Sequence, residues 1–182
     1  MELNDDIKTI LLKIARESIE AIFSGAGLQL PDFELFPILN SRSGAFVTLT
    51  INKKLRGCIG YIISDRPLHE TIKDAAVQAS QHDPRFAPVK EEELDKIKIE
   101  ISILSEPFPM VSYDDIVLGK HGLILEENGQ RGLLLPQVPI EHKMDREEYL
   151  EAICNKTGFH SSFWKEKQLN IKLFTATIFS EG

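Results

Sequence analysis

The sequence has little cysteine and no long apolar run, and these absences exclude several classes of protein. Two cysteines, Cys58 and Cys154, among 182 residues are too few for a disulfide framework and fit a reducing cytosol. No uncharged run approaches the roughly 20 residues that a membrane helix needs. The acidic segment from Met1 to Asp6 lacks the basic and apolar regions of a secretory signal. We therefore expect a cytoplasmic protein with no membrane contact.

Excess basic charge, metal motifs and nucleotide motifs are also missing. Lys and Arg number 21 against 28 Asp and Glu, a net charge of −7, which argues against nucleic acid as the main partner. The chain has no C-x-x-C, no H-E-x-x-H and no EF-hand loop, so we predict no metal site. Ser24–Gly27 lacks the lysine of a phosphate-binding loop and is interpreted as a helix terminator. No cofactor is predicted.

The periodicity of the remaining sequence is typical of a globular α+β protein. Helices are predicted over residues 4–24, from Pro67 onward, and from the capping box of Asp145 and Glu148 to about Gly158. Antiparallel hairpins are predicted over residues 45–63 and 122–135, a lone strand begins at Ile97, and a last strand covers Leu169–Phe179.

The two hairpins share a weak internal repeat. Val47–Gly60 and Leu123–Leu135 both read as strand, tight turn, Arg-Gly and strand, and each is followed by a helix and a lone strand. This order predicts one domain over residues 1–182 with two approximate lobes. One lobe is expected to cover residues 45–105 with the N-terminal helix, the other residues 120–180, with a cleft between them.

Leu55–Gly60, with the sequence LRGCIG, is the main candidate for a functional site. Strand alternation would place Arg56, Cys58 and Gly60 on one face, with Arg56 about 7 Å from Cys58. A guanidinium at that distance favours the thiolate, so we expect a lowered pKa and a reactive thiol at Cys58. Gly57 and Gly60 indicate close approach of a ligand or of another backbone. The alternative is a small buried cysteine that packs like alanine.

These residues resemble the signature of the AMMECR family, whose archaeal and bacterial members are called AmmeMemoRadiSam system protein A. The resemblance covers about residues 40–180, with Tyr61 standing where the family has Thr or Ala. Its blocks are LRGCIG at Leu55–Gly60, HDPRFAPV at His82–Val89, IEISILS at Ile99–Ser105, GKHGLIL at Gly119–Leu125 and RGLLLPQV at Arg131–Val138. The resemblance implies a two-lobed α+β fold with the LRGCIG strand near the groove. It also implies Memo-like and radical-SAM proteins as partners, and it supplies no reaction.

The HDPRF block at His82–Phe86 has two interpretations. In the functional one, His82 is a general base and Arg85 anchors an anion near Cys58. In the structural one, Asp83 and Pro84 form a turn, Phe86 fills a core and Arg85 pairs with a carboxylate.

His121 and Gln137 are further candidates for ligand binding. His121 lies on a loop before a strand, where a histidine is either a ligand contact or a solvated side chain. Gln137 follows a proline-bounded segment and, because a buried glutamine must be hydrogen-bonded, is either a ligand contact or a structural clamp.

Two functions from different classes fit these patterns, and the sequence leaves open whether the protein is an enzyme. The leading hypothesis is an enzyme-like protein that uses or presents Cys58 toward a small anionic or nucleotide-like ligand. His82 would be the base, and the ligand would be held by Arg56, Gly57, Gly60, Arg85, His121 and Gln137. The alternative is a non-catalytic binding module for a partner protein or RNA.

Overall fold

The computed structural model describes residues 3–29, 31–32 and 35–182. Residues 1, 2, 30, 33 and 34 lie outside the described residues, and the last three belong to the connection between the predicted helix over residues 4–24 and the predicted hairpin over residues 45–63. The chain divides into two compact units. The first contains the residues up to Leu104 together with Thr177–Gly182, and the second is Ser105–Ala176. Each unit has a four-stranded sheet and packed helices, so the predicted α+β class is confirmed.

The helices and strands, in chain order, are α1 (Asp5–Ser24), β1 (Ala45–Ile51), β2 (Lys54–Tyr61), α2 (Leu68–Gln81), β3 (Ile97–Leu104), β4 (Phe108–Pro109), β5 (Gly122–Glu127), β6 (Gln130–Leu134), α3 (Val138–Glu141), α4 (Arg146–Thr157), β7 (Ile171–Phe174) and β8 (Ala176–Ser180). Short 3₁₀ helices cover Pro37–Asn40, Glu91–Lys96, Tyr113–Asp115 and Ser161–Lys165. None of the described helices is long and apolar enough to span a membrane.

Helix α1 begins and ends at the residues that the sequence indicates. The Asn4 side chain accepts a hydrogen bond from the Ile7 N–H at 2.9 Å, and Gly25 ends the helix with a left-handed φ of 67°. Leu11 and Ile19 on its apolar face are fully buried. Burying one such side chain contributes about 1.5–3 kcal/mol, so packing stabilises α1 more than helix propensity does.

The first sheet has the strand order β2-β1-β3-β8, which makes β2 an edge strand. Strands β1 and β2 form the predicted hairpin, with Asn52 and Lys53 at φ values of 51° and 63° in its tight turn. Helices α1 and α2 pack on the face of the sheet that carries the buried core residues of β1 and β3. A β-bulge interrupts β2, because Leu49 pairs with Gly57 and Thr50 pairs with Leu55.

The second sheet has the order β4-β7-β5-β6 and contains the other predicted hairpin, β5–β6. Asn128 and Gly129 form its turn, with φ values of 50° and 77°. The predicted capping box is present at the start of α4, where the Asp145 side chain accepts from the Glu148 N–H. Helix α4 packs against β5 and β6.

The internal repeat predicted from the two hairpins corresponds to a repeated topology. The elements β1, β2, α2 and β3 give the sheet order β2-β1-β3, and β5, β6, α4 and β7 give β6-β5-β7. Within each unit, the Arg-Gly glycine lies against the last turn of a helix, α2 in the first unit and α4 in the second. A Cβ at Gly57 would overlap the carbonyl oxygen of Ala79 in α2, and a Cβ at Gly132 would overlap Oγ1 of Thr157 in α4.

The single last strand predicted over Leu169–Phe179 is wrong. It is interrupted at Thr175, whose N–H donates to Ser105 Oγ at 2.9 Å and whose carbonyl accepts from the Ser105 N–H at 2.8 Å. Strand β7 then lies in the second sheet and β8 in the first. Because β-forming residues continue through Thr175, no turn residue marks this change of sheet. The short strand β4 was also not predicted, and its Pro109 is tolerated because β4 is an edge strand.

Candidate functional site

Cys58 lies on the face of the first sheet opposite α1 and α2. It is opposite Thr48 on β1, which in turn is opposite Glu100 on β3. These three residues alternate along their strands with core residues such as Leu49, which places them on the face opposite the helices. The Thr48 hydroxyl donates a hydrogen bond to Cys58 Sγ at 3.2 Å, and Cys58 is half-buried. The thiol is therefore partly accessible on a polar sheet face.

The loop after α2 closes the outer edge of β2 at Cys58. The Cys58 N–H donates to Oδ2 of Asp83 at 2.9 Å, and Nη2 of Arg85 donates to the Cys58 carbonyl at 3.2 Å. Arg85 also binds the Asp83 carboxylate through Nε at 3.0 Å and Nη2 at 2.7 Å, which holds the pKa of Asp83 well below its usual range. An edge strand otherwise exposes such backbone groups to another chain. We call Asp83 and Arg85 together the edge cap.

The edge cap matches the structural interpretation of the HDPRF block, in which Arg85 pairs with a carboxylate. Phe86 does not fill the core as that interpretation expects, because it is half-buried with the Arg85 guanidinium 5.5 Å from its ring centre. The structural interpretation gives Asp83 only a place in a turn. Its position two residues before Arg85 was the available signal, since an aspartate can bond the backbone two residues on.

Arg56 does not act on Cys58 as predicted. The bulge leaves Arg56 unpaired, and this breaks the alternation on which the predicted shared face depends. Its guanidinium donates to both carboxylate oxygens of Glu93 at 2.8 and 2.9 Å, and to the carbonyls of Ala87 at 2.8 Å and Pro88 at 3.2 Å. The hydrogen bonds from Arg56 to the Glu93 carboxylate lower the pKa of Glu93 to about 2. Arg56 therefore fastens the segment after α2 to β2.

The predicted lowering of the thiol pKa is wrong. Burial raises the pKa of Cys58, and this is the largest effect on the group. The hydrogen bond from Thr48 and the positive charge of Arg85 lower the pKa, while the carboxylates of Asp83 and Glu100 raise it further. The net shift is upward because burial and the two carboxylates outweigh the hydrogen bond from Thr48 and the charge of Arg85.

Gly57 and Gly60 are explained by close approach of the protein's own backbone. Gly57 is buried under α2, where a side chain would overlap the Ala79 carbonyl. A Cβ at Gly60 would overlap the carbonyl of Ala45 and the backbone of Phe46. The prediction of backbone approach is confirmed at both positions, and a ligand contact at either one stays a prediction.

His82 ends α2, with its N–H donating to the Gln78 carbonyl at 2.8 Å. Its side chain is exposed and makes no hydrogen bond or ion pair with any residue that the structure describes. The neighbouring edge cap brings the backbone of this loop to Cys58. The role of His82 as a base stays a prediction.

His121 and Gln137 belong to the second unit. His121 is buried, and its Nδ1 lies 3.0 Å from the Asp115 carbonyl and 3.2 Å from the Val117 nitrogen, so it is bound to backbone and not solvated. Oε1 of Gln137 is buried and has no partner among the described residues. This oxygen therefore forms no structural clamp, and its contact with a ligand stays a prediction. The cleft predicted between two lobes stays a prediction as well.

Both thiols are free, and Cys154 is fully buried in the second unit. Within the described part of the chain, no cluster of three or more His, Cys, Asp or Glu residues could hold a metal ion.

Comparison with known proteins identifies the family. The AMMECR1 family model matches residues 12–179. A protein of Methanosarcina barkeri is 41% identical over 178 residues, which cover 93% of this chain and 88% of that protein. A protein of Nanoarchaeum equitans is 38% identical over 178 residues, which cover 94% of this chain and 98% of that protein.

A solved structure extends the similarity to the fold. The crystal structure of an uncharacterized protein from Pyrococcus horikoshii matches with a TM-score of 0.90 and 36% sequence identity, covering 100% of this chain and 94% of that one. Together with the LRGCIG block and the two-sheet architecture, these matches show that the chain belongs to the AMMECR1 family.

Proposed function

We propose that this protein is a binding module, which contacts a partner protein through the sheet face around Cys58 while the thiol stays protonated. The observation that carries the proposal is the environment of that thiol. Cys58 is half-buried with a raised pKa, and the guanidiniums of Arg56 and Arg85 are each bonded to a carboxylate. Such a site can bind a partner, but little of its thiol is in the thiolate form that a nucleophile requires.

A thiol nucleophile needs a thiolate and usually a neighbouring base. Burial raises the pKa of the Cys58 thiol above its ordinary value, so the protonated thiol predominates at pH 7. The hydrogen bond to Sγ comes from Thr48, whose hydroxyl is not a base at neutral pH. The two carboxylates that act on the thiol, those of Asp83 and Glu100, oppose its ionisation.

The same face is poorly suited to an anionic or nucleotide-like ligand. An anion would have to displace Asp83 from Arg85, Glu93 from Arg56, or the Gly182 carbonyl from Lys98. Beside Thr48 there is a depression of about 170 Å³, lined by residues that include Thr50, Lys98, Glu100 and Ser180. Small-molecule sites usually enclose about 300–1,000 Å³, so this depression fits a single side chain or a peptide group.

These features support a protein partner that presents hydrogen-bond donors to Thr48 and Glu100. The Memo-like and radical-SAM proteins implied by the family resemblance are the partners to test first. The net charge of −7 disfavours RNA in the same role.

The test combines thiol labelling with partner binding. Iodoacetamide labelling, resolved by peptide mass spectrometry, should be slow at Cys58 near pH 7, and its rate should still be rising at a pH where an unperturbed thiol has levelled off. In calorimetric titrations with each partner, Cys58→Ala should retain binding and Glu100→Gln should weaken it about tenfold, as expected for a charge-assisted contact. Glu91→Gln, on an exposed glutamate of the same unit, is the matched control and should have no effect.

The second candidate function is a thiol enzyme. The hydrogen bond from Thr48 to Sγ and the charge of Arg85 favour it, because both lower the thiol pKa. Rapid labelling of Cys58 near pH 7, slowed by Arg85→Gln, would support this candidate and contradict the binding module. A partner that binds wild type and Glu100→Gln equally would also contradict the proposed surface.

A further inference from the structure

The second unit contains a larger depression of about 530 Å³ that the Cys58 site does not involve. This volume lies within the usual range for ligand sites, about 300–1,000 Å³. Its lining includes Tyr113, Asp114, Asp145, Glu147, Leu150 and Trp164. Two aromatic rings and a buried leucine thus stand beside three carboxylates, which is the combination that attracts an organic cation.

The aromatic wall of this depression is already fixed in position. The Tyr113 hydroxyl lies 3.1 Å from the Trp164 carbonyl and 3.2 Å from the Lys167 carbonyl, and it accepts from the Leu169 N–H at 3.1 Å. The rings of Tyr113 and Trp164 meet edge to face, with centres 5.5 Å apart. A ligand therefore finds the aromatic surfaces in place, which reduces the entropic cost of binding.

The protein's own Lys165 shows that an ammonium group can bind at these aromatic rings. Its Nζ lies 4.9 Å from the centre of the Trp164 ring and 3.3 Å from Oε2 of Glu147. The side chains of Lys165 and Glu147 are 51% and 66% exposed, so this ion pair is weak and can exchange. When the Lys165 ammonium moves away, the lining of the depression holds three carboxylates and one guanidinium. That guanidinium belongs to Arg146 and pairs with Asp114, so the depression keeps a net negative charge.

We propose that the depression at Tyr113, Glu147 and Trp164 binds an alkylammonium group, which displaces the ammonium of Lys165. The incoming ammonium lies over the indole ring and pairs with Glu147, while its aliphatic stem packs along the ring of Tyr113. The ammonium belongs either to a lysine side chain of a partner protein or to a free amine, because both present the same chemistry.

Trp164 is the only tryptophan in the sequence, so its fluorescence reports on this site. The full chain is titrated with n-butylammonium chloride and, separately, with the neutral analogue n-butanol, at matched ionic strength. We expect a saturable change in Trp164 fluorescence with butylammonium and no saturable change with butanol. Tighter binding of acetyl-Gly-Lys-Gly-amide than of butylammonium assigns the group to a protein side chain, whereas tighter binding of spermidine assigns it to a free amine.

Three variants separate this proposal from general charge effects. Lys165→Met removes the internal competitor and should lower the dissociation constant about threefold, while Glu147→Gln should raise it about three- to tenfold. Lys167→Met is the matched control, because that ammonium contacts Phe163 and Glu127 instead, and it should leave the constant unchanged. Circular dichroism checks that each variant is folded. An equal response to butanol, no saturation, or unchanged or weaker binding in Lys165→Met would overturn the proposal.

Discussion

Replacing Asp83 with asparagine tests the edge cap. The Asp83 side chain is 1% exposed and accepts hydrogen bonds from the Cys58 N–H and the Arg85 guanidinium. Breaking a buried ion pair costs about 3–5 kcal/mol. The Arg85 side chain is 55% exposed, so water can take over its bonds and the loss is smaller. We expect Asp83→Asn to lower the free energy of unfolding by about 2–3 kcal/mol, because the one oxygen that asparagine keeps stays with the Arg85 N–H and Nε while its NH2 group faces the Cys58 N–H.

The same substitution changes the response of stability to acid. The pKa of Asp83 is lowered in the folded protein, so the folded state binds fewer protons than the unfolded state, where the pKa is about 3.9. The stabilisation is therefore complete above about pH 4 and is lost as the pH falls toward the folded-state pKa. The free energy of unfolding of Asp83→Asn should fall less steeply below pH 4 than that of wild type. Glu93, whose pKa is lowered to about 2, also makes the free energy of unfolding fall in acid, and it does so equally in wild type and variant.

Urea unfolding followed by circular dichroism, at pH 7 and in steps below pH 4, measures both effects. Hydrogen exchange at the Cys58 amide adds a local measurement, since this N–H should lose protection in the variant. Asp95→Asn, on an exposed aspartate of the same unit, is the control. A loss under about 0.5 kcal/mol, or unchanged exchange at Cys58, would refute the edge cap as a stabilising contact.

Two further predictions concern the thiol of Cys58. Thr48→Val keeps the shape of the side chain but removes the hydrogen-bond donor to Cys58 Sγ, so the pKa of the thiol should rise. Alkylation of Cys58 at pH 8 should then slow about two- to fivefold. An unchanged rate would mean that the Thr48 hydroxyl does not affect the thiolate. Arg56→Gln should leave the alkylation profile of Cys58 unchanged, because the guanidinium is bound by Glu93, while it lowers the free energy of unfolding by about 1–3 kcal/mol. A shift in the pH profile of alkylation would show that Arg56 does affect the Cys58 thiolate.

Elements with a local chemical signal could be predicted from the sequence. The Asn4 and Gly25 caps set the limits of α1, and the Asn128-Gly129 turn together with flanking β-forming residues gave the second hairpin. The change of sheet at Thr175 has no such signal. It depends on a hydrogen-bonded pair with Ser105, 70 residues earlier in the chain, and only the assembled fold shows that pair.

The sequence predicted the location of the Cys58 site but not the pairing of its strand or the surroundings of its thiol. The Asn52-Lys53 turn pairs Ile51 with Lys54, and an unbroken register from there would place Gly57 opposite Thr48. The bulge shifts the register by one residue and brings Cys58 to Thr48 instead. The direction of the thiol pKa shift depended on burial, and burial of an edge-strand side chain is decided by loops that the local pattern does not describe.

The Arg-Gly pairs of the two hairpins allow one more comparison, because each glycine lies against the last turn of a helix. An alanine at Gly57 meets the backbone carbonyl of Ala79, which can move only with α2, so Gly57→Ala should cost about 3 kcal/mol or more. An alanine at Gly132 meets the Thr157 hydroxyl, which can rotate at the expense of its hydrogen bond to the Ile153 carbonyl, so about 1 kcal/mol is expected.

Unfolding by urea at pH 7 distinguishes this explanation from a ligand-binding role of the signature glycine. Trp164 fluorescence follows the second unit, and circular dichroism follows the whole chain. Gly27→Ala is the control, because a Cβ there meets nothing within 4 Å, and its free energy of unfolding should stay within about 0.5 kcal/mol of wild type. If Gly57→Ala is as stable as this control but fails to bind a partner, Gly57 serves the site and not the packing of α2. A loss at Gly132 equal to that at Gly57 would show that the hydroxyl of Thr157 is held as rigidly as the backbone of Ala79.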